Sequence, residues 1–234
     1  MGRSPRVDAG GVAYHVLNRS VGRRMIFRRD GDFTAFEQVM AQALARAGGQ
    51  VELLSYCVMG NHWHLVLHTR ADGVISPFMK WLTLTHTQRW QVSHGHVGEG
   101  PVYQGRFKSF PIEADDHLLA VCRYVERNAA RASLVERAED WRWSSLWRWR
   151  HPNHMDPFTP RLTMGNWPVP GGRPRHWLRT VNTPISEAEL QAMQTAARRG
   201  QPYGSDRWVQ RMMDRFDLTS TFRRPGRPKT EAIP

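Results

Sequence analysis

Apolar positions along the chain change period several times, and each change marks an element. Residues 10–20, GGVAYHVLNRS, alternate: Val12, Tyr14 and Val16 are set against Ala13, His15 and Leu17, which predicts a strand. From 32 to 49, Phe33, Phe36, Val39, Met40, Ala43 and Leu44 recur at helical spacing and stop at Gly48-Gly49. Residues 50–60 and 62–69 predict two more strands, joined by Gly60-Asn61, a dipeptide suited to a tight turn. A second helix is expected over 76–95, with Ser76 as cap and Pro77 at the first helical position. After a glycine-rich loop at 95–105 come a short fourth strand, 107–113, and a third helix, 115–132, whose acidic start suits the helix dipole. The order β-α-β-β-α-β, then α, predicts an α+β fold of the ferredoxin-like, split βαβ kind. Two helices cover one face of a small antiparallel sheet, and the third helix lies against the open face or its edge.

Beyond residue 140 the pattern changes. Residues 140–151, DWRWSSLWRWRH, hold four of the ten tryptophans, interleaved with arginines, and read better as a flap over the core than as a platform for bases. Residues 152–184 are rich in proline and glycine and read as irregular. Two short helices follow at 186–200, opened by a Ser186–Glu189 capping box, and at 205–218. The division expected is a catalytic domain over 1–150 and a basic extension over 151–234.

Charge sharpens this division. The chain of 234 residues carries 33 Lys+Arg against 21 Asp+Glu, and only Lys80, Lys108 and Lys229 are lysines. Arginine forks match phosphates bidentately and stack on bases, so the balance points to nucleic acid. Residues 1–140 carry 17 basic against 14 acidic side chains, while 141–234 carry 16 against 7. The electrostatic grip is thus expected mostly in the C-terminal part. Cys57 and Cys122 sit in apolar contexts and make no disulfide framework. With no apolar run long enough to span a membrane and no secretory segment after Met1, a soluble cytoplasmic protein is expected.

The candidate chemistry starts at GNHWHLVLHT (60–69). On a strand, His62, His64, Val66 and His68 share one face and Trp63, Leu65 and Leu67 the other. The odd face is a core face; the even face puts two imidazoles side by side, a spacing that lets both converge on a metal. Tyr124 and Asn128 in RYVERN stand four apart, on one helix face. A divalent cation held by His62, His64 and Asn128 would polarise a phosphodiester oxygen for attack by the tyrosine hydroxyl. Mixed N/O ligands suit Mg²⁺ or Mn²⁺; a zinc site using Cys57 or Cys122 is a lesser alternative.

These pieces carry a resemblance. GNHWHLVLHT resembles the HUH motif (His, bulky hydrophobic, His), and RYVERNAARA resembles the helix that bears the nucleophilic tyrosine and polar third ligand of HUH transposases. YHVLNRSVGRRMIF, YCVMGNHWHL, QGRFKS, CRYVERNAARASLV and WRWSS together resemble the REP-associated tyrosine transposases, over about residues 10–150 and more loosely beyond. The resemblance implies a ferredoxin-like HUH core, Tyr124 as nucleophile, His62, His64 and Asn128 as ligands of Mg²⁺ or Mn²⁺, and cleavage of single-stranded DNA beside REP-type hairpins through a 5′-phosphotyrosine. The alternative is a domesticated protein that grips hairpins without cutting, as monomer or homodimer in either case. DNA contacts are expected from Arg19 and Arg23 on the loop after the first strand, and from Arg106 and Lys108 in QGRFKS, with Phe107 between them for base stacking. Arg224, Arg227 and Lys229 of the tail RRPGRPK, which resembles an AT-hook core, complete the set.

Overall fold

The computed structural model describes residues 6–154 and 165–222. Its first part runs β1 (Val12–Arg19), α1 (Asp30–Arg46), β2 (Val51–Met59), β3 (His62–Thr69), α2 (Ile75–His94) and β4 (Lys108–Ile112). The four strands form one sheet in the order β2-β3-β1-β4, every neighbouring pair antiparallel. β3 is inserted between β1 and β2, which is the split βαβ arrangement that the hydrophobic periods predict. After the sheet come α3 (Asp116–Glu126), α4 (Asn128–Arg131), α5 (Ser145–Arg150), α6 (Trp177–Asn182), α7 (Glu187–Arg199), α8 (Asp206–Phe216) and α9 (Thr219–Phe222).

Alternation decides which layer each strand residue joins. Tyr14, Val16, Trp63, Leu65 and Leu67 face α1 and α2 and form one buried cluster with Phe33, Phe36, Met40, Phe78 and Leu82. Ala13, Cys57, Val66 and Phe110 face the other way, into a second cluster with Leu118, Val121, Cys122 and Val125 of α3. Trp167, Trp177, Val181 and Met193 of the C-terminal segment belong to that same second cluster. The sheet is therefore sandwiched between helix layers, and the face opposite α1 and α2 carries α3.

Three local details differ from the sequence reading. Helix α2 starts at Ile75, not after Ser76, because its first amides are capped from afar: the Asp8 carboxylate accepts from Ile75 N at 2.9 Å and Ser76 N at 3.0 Å. A side chain 67 residues upstream supplies what Ser76 was expected to give. The helix expected over 115–132 breaks at Arg127 into α3 and α4. Residues 177–182, read as irregular, form α6 because Trp177 and Val181 are buried at helical spacing. The capping box is as expected, with Ser186 and Glu189 bonded reciprocally.

The tryptophan-rich stretch covers the free edge of β2. Val58 N donates to Trp143 O at 2.9 Å, Trp141 Nε1 donates to Val58 O at 2.9 Å, and the Trp143 ring stacks on Phe33 at 4.8 Å. Arg148 then locks the flap: its Nε donates to Tyr56 Oη at 2.9 Å, its Nη2 bonds the Glu37 carboxylate, and Tyr56 Oη donates to Glu37 Oε1 at 2.6 Å. Glu37 is fully buried, and burial pushes its carboxyl pKa up even against the arginine. Removing one partner of such a pair leaves a buried charge uncompensated. Arg148→Met is therefore expected to cost about 3 kcal/mol in urea unfolding, and adding Glu37→Gln to recover part of it.

Candidate active site

β3 delivers His62 and His64 to the α3 face of the sheet. Registry places β1 beside them, with Leu17 opposite His64 and Arg19 opposite His62. It also brings His15, two residues back along β1, against His64. His15 Nε2 and His64 Nδ1 are 2.8 Å apart, and the two rings lie nearly parallel, their planes 9° apart and their centroids at 5.0 Å. Both are almost wholly enclosed, His15 at 1% and His64 at 4% exposure. His62 sits edge-on to His64 at 5.1 Å, and its Nδ1 lies 2.6 Å from Asn61 Oδ1 in the β2–β3 turn. Since an amide oxygen only accepts, His62 carries its proton on Nδ1 and keeps a bare Nε2. His68, the third histidine of that face, is tied to Glu52 at 2.9 Å and takes no part.

The cluster stays uncharged at neutral pH. Burial, with Arg19 and Arg131 adding to it, pushes His62 down to about 4. Burial also lowers His15 to about 3 and holds His64 well below the ordinary imidazole range, with the neighbouring histidines and the two arginines contributing. Neutral imidazoles with one nitrogen committed and the other without a hydrogen bond among the described residues are the form in which histidine takes a divalent cation. By that test His62 and His64 fit a metal.

Tyr124 reaches the same spot from α3. Its ring is edge-on to both His64, at 5.7 Å, and His15, at 5.9 Å, and the Arg131 guanidinium lies 5.4 Å over it. The residue is 8% exposed, and its hydroxyl makes no hydrogen bond within the described residues. Burial raises the phenol pKa, opposed by Arg131 and Arg19, so the hydroxyl is protonated at neutral pH. Asn128 opens α4, fully buried; its Oδ1 accepts from Arg131 Nη2 at 2.8 Å and its Nδ2 has no partner among the described residues. Among the described contacts none joins Asn128 to the histidines. Its carbonyl oxygen retains a second lone pair, so the amide suits a third ligand chemically.

The side of α3 that flanks Tyr124 is held by the C-terminal segment. Arg123 donates to the carbonyls of Thr183 and Pro184, and Arg127 to those of Val181 and Asn182. Between them Glu126, fully buried, accepts from Ser145 Oγ at 2.7 Å and Trp177 Nε1 at 2.6 Å.

Three of the four predicted DNA contacts among the described residues share one cleft. Arg19 is half-buried beside His62, while Arg106 and Lys108 are exposed and line one cleft with Asn18, Arg19 and Gln104. Arg23 is exposed on the loop after β1. Phe107 is not available to a base: it is buried in the first core cluster and covered by the Arg6 guanidinium at 3.9 Å. Arg224, Arg227 and Lys229 lie outside the described residues. Cys57 and Cys122 are buried thiols whose pKa burial raises, and no described cluster of three metal-type ligands includes either. Glu113, Asp115 and His117 do converge, but Asp115 caps α3 and holds His117 Nδ1, and Glu113 receives Ser205 N. Sequence reasoning missed His15 and Arg131. His15 was visible as the odd-numbered partner of Ala13 and Leu17; only the β1–β3 register places it on His64.

The family model described as "Transposase IS200 like" matches residues 9–128, which is half of the chain and includes every residue of this cluster except Arg131. The chain belongs to the IS200-like transposase family. No curated protein matches it. Among solved structures, a REP-associated tyrosine transposase bound to a REP hairpin is similar at TM-score 0.53 and 15% identity, over 71% of this chain and 93% of that one. That likeness shows the fold. A second structure, of a transposase candidate from Deinococcus radiodurans, is similar at TM-score 0.38 and 20% identity over 54% of this chain and 95% of its own. For this transposase-family chain no described helix is long and apolar enough to cross a membrane.

Proposed function

We propose that this chain is a single-tyrosine HUH endonuclease and strand transferase that cuts and rejoins single-stranded DNA beside a REP-type palindromic hairpin. The observation that carries the reading is a meeting of three features: a tyrosine hydroxyl with no hydrogen bond among the described residues, its ring edge-on to His64, which in turn meets His62, and Arg131 and Arg19 beside them. That also supports action by a single chain. In the step, Tyr124 Oη attacks the phosphorus, an Oη–P bond forms and the P–O3′ bond breaks. The phenolic proton is released, and the departing 3′ oxygen takes up a proton. The products are a 5′-phosphotyrosine and a free 3′-hydroxyl, and the retained phosphodiester energy permits rejoining without ATP.

His62 and His64, through Nε2, and Asn128, through its amide oxygen, would hold Mg²⁺ or Mn²⁺, which when bound polarises a phosphodiester oxygen. Arg131 and Arg19 place positive charge where negative charge builds up during attack. Arg23, Arg106 and Lys108, with Arg224, Arg227 and Lys229 of the tail, would track phosphates of the hairpin and its flank, making binding salt-sensitive. A second reading, a hairpin binder that no longer cuts, draws on the grip of Arg131 on Asn128 Oδ1.

One assay decides between them. Single-stranded oligonucleotides bearing palindromic hairpins are incubated with the protein and Mg²⁺ or Mn²⁺, then run on a denaturing gel. A cleaved strand with a covalent protein adduct, lost in EDTA, is expected. Hairpin binding without cleavage or adduct across varied hairpins and both metals supports the binder instead.

A further inference from the structure

His15 stands outside the tyrosine, the two-histidine strand and the amide of the proposed site, yet it is bonded to the middle of them. A histidine that ligates a metal through one nitrogen passes the N–H on its other nitrogen to an acceptor, and that acceptor fixes both tautomer and ring orientation. For His62 the acceptor is Asn61 Oδ1. Among the described residues no carboxylate, carbonyl or amide bonds His64 Nδ1; the partner is His15 Nε2, at 2.8 Å. The two rings are nearly coplanar in orientation, and Phe110 packs edge-on against His15 at 5.0 Å, so the imidazole has little room to turn away.

We infer that His15 is a positioning residue: it accepts the His64 Nδ1 proton and so leaves His64 Nε2 bare for a divalent cation. The inference rests on the cation site proposed above. It has a structural cost that makes it specific. If His15 Nε2 accepts, the proton of neutral His15 must sit on Nδ1, and that atom is buried without a partner among the described residues. The opposite assignment, His15 Nε2–H donating to His64 Nδ1, leaves only a bare lone pair at His15 Nδ1, the milder burden, but it puts a proton on His64 Nε2 where the cation belongs. Both assignments hold two protons. The first assignment is the one a cation on His64 Nε2 would require: relative to the second, one proton sits on His64 Nδ1 in place of His15 Nε2 and the other on His15 Nδ1 in place of His64 Nε2.

Two measurements without DNA or turnover test this. Mn²⁺ binding is followed by the loss of the free-ion electron paramagnetic resonance signal in the wild type, His15→Phe and His15→Gln. The phenylalanine variant is expected to bind about 10–100-fold more weakly, and the glutamine variant, whose amide oxygen accepts from His64 Nδ1, to recover most of that loss. Nitrogen-15 spectra of the wild-type histidines with saturating Mg²⁺ should show His64 protonated at Nδ1 and bare at Nε2. Wild-type affinity in His15→Phe overturns the inference and leaves the cation site standing. Absence of Mn²⁺ binding in the wild type overturns the cation site and the inference with it. If His15→Phe does not fold, the Mg²⁺-loaded spectrum decides alone, and a proton on His64 Nε2 overturns the role.

Discussion

Tyr124→Phe should abolish the covalent protein–DNA adduct and lower single-strand cleavage by on the order of 10⁴-fold or more, as expected when a nucleophile is removed. The same variant should melt and bind hairpin DNA close to the wild type. The reason is in the contacts. The ring keeps its edge-on packing against His15 and His64 and its place under Arg131, all of which phenylalanine reproduces. The hydroxyl has no hydrogen bond to lose among the described residues. Cleavage time courses on denaturing gels, beside a thermal melt and a hairpin titration, measure the three quantities. Residual adduct in Tyr124→Phe would move attention to Tyr203, the most exposed of the five tyrosines, which lies beside Phe110 and His117.

A chain that stops at residue 150 should lose cooperative folding altogether. The segment beyond that point contributes Trp167, Trp177, Val181 and Met193 to the cluster that packs α3 on the sheet, all at 7% exposure or less. Each side chain of that size stabilises by about 1.5–3 kcal/mol on burial. Four of them amount to a large part of the roughly 5–15 kcal/mol that holds an ordinary domain folded. Truncation also strips the Trp177 bond from Glu126 and the carbonyl partners from Arg123 and Arg127, all on the tyrosine helix. Circular dichroism of the shortened chain should show a weak, non-cooperative melt. A sharp transition near the wild-type temperature would mean that the first 150 residues suffice, and that the extension serves DNA alone.

Local signals carried the sheet order and the site's frame because they depend on near neighbours. Period-2 alternation put Trp63 and Leu65 on one side and His62 and His64 on the other, and Gly60-Asn61 marked the turn between β2 and β3. What the sequence did not yield depends on partners far away in the chain. Asp8 caps α2 from 67 residues upstream, so Ser76 had no cap to make. Phe107 looked like a stacking ring until Arg6 closed over it. His15 carried the right alternation, but its meeting with His64 needs the register of two strands separated by α1 and β2. Nothing local marks Glu126 as buried; its partners Ser145, Trp177 and Arg173 come from the flap and the C-terminal segment. The break at Arg127 is likewise unmarked, since RYVERNAARA contains neither glycine nor proline.

The chemical location of the DNA adduct tests Tyr124 as the nucleophile most directly. Trypsin cuts after Arg123 and Arg127, so a tyrosine-linked strand trimmed by nuclease should leave its phosphate on the four-residue peptide 124–127, read by tandem mass spectrometry. A 5′-phosphate-linked nucleotide is expected on Tyr124 and on none of Tyr14, Tyr56, Tyr103 or Tyr203. An adduct on any of those four, or cleavage that proceeds with no covalent intermediate, would contradict it.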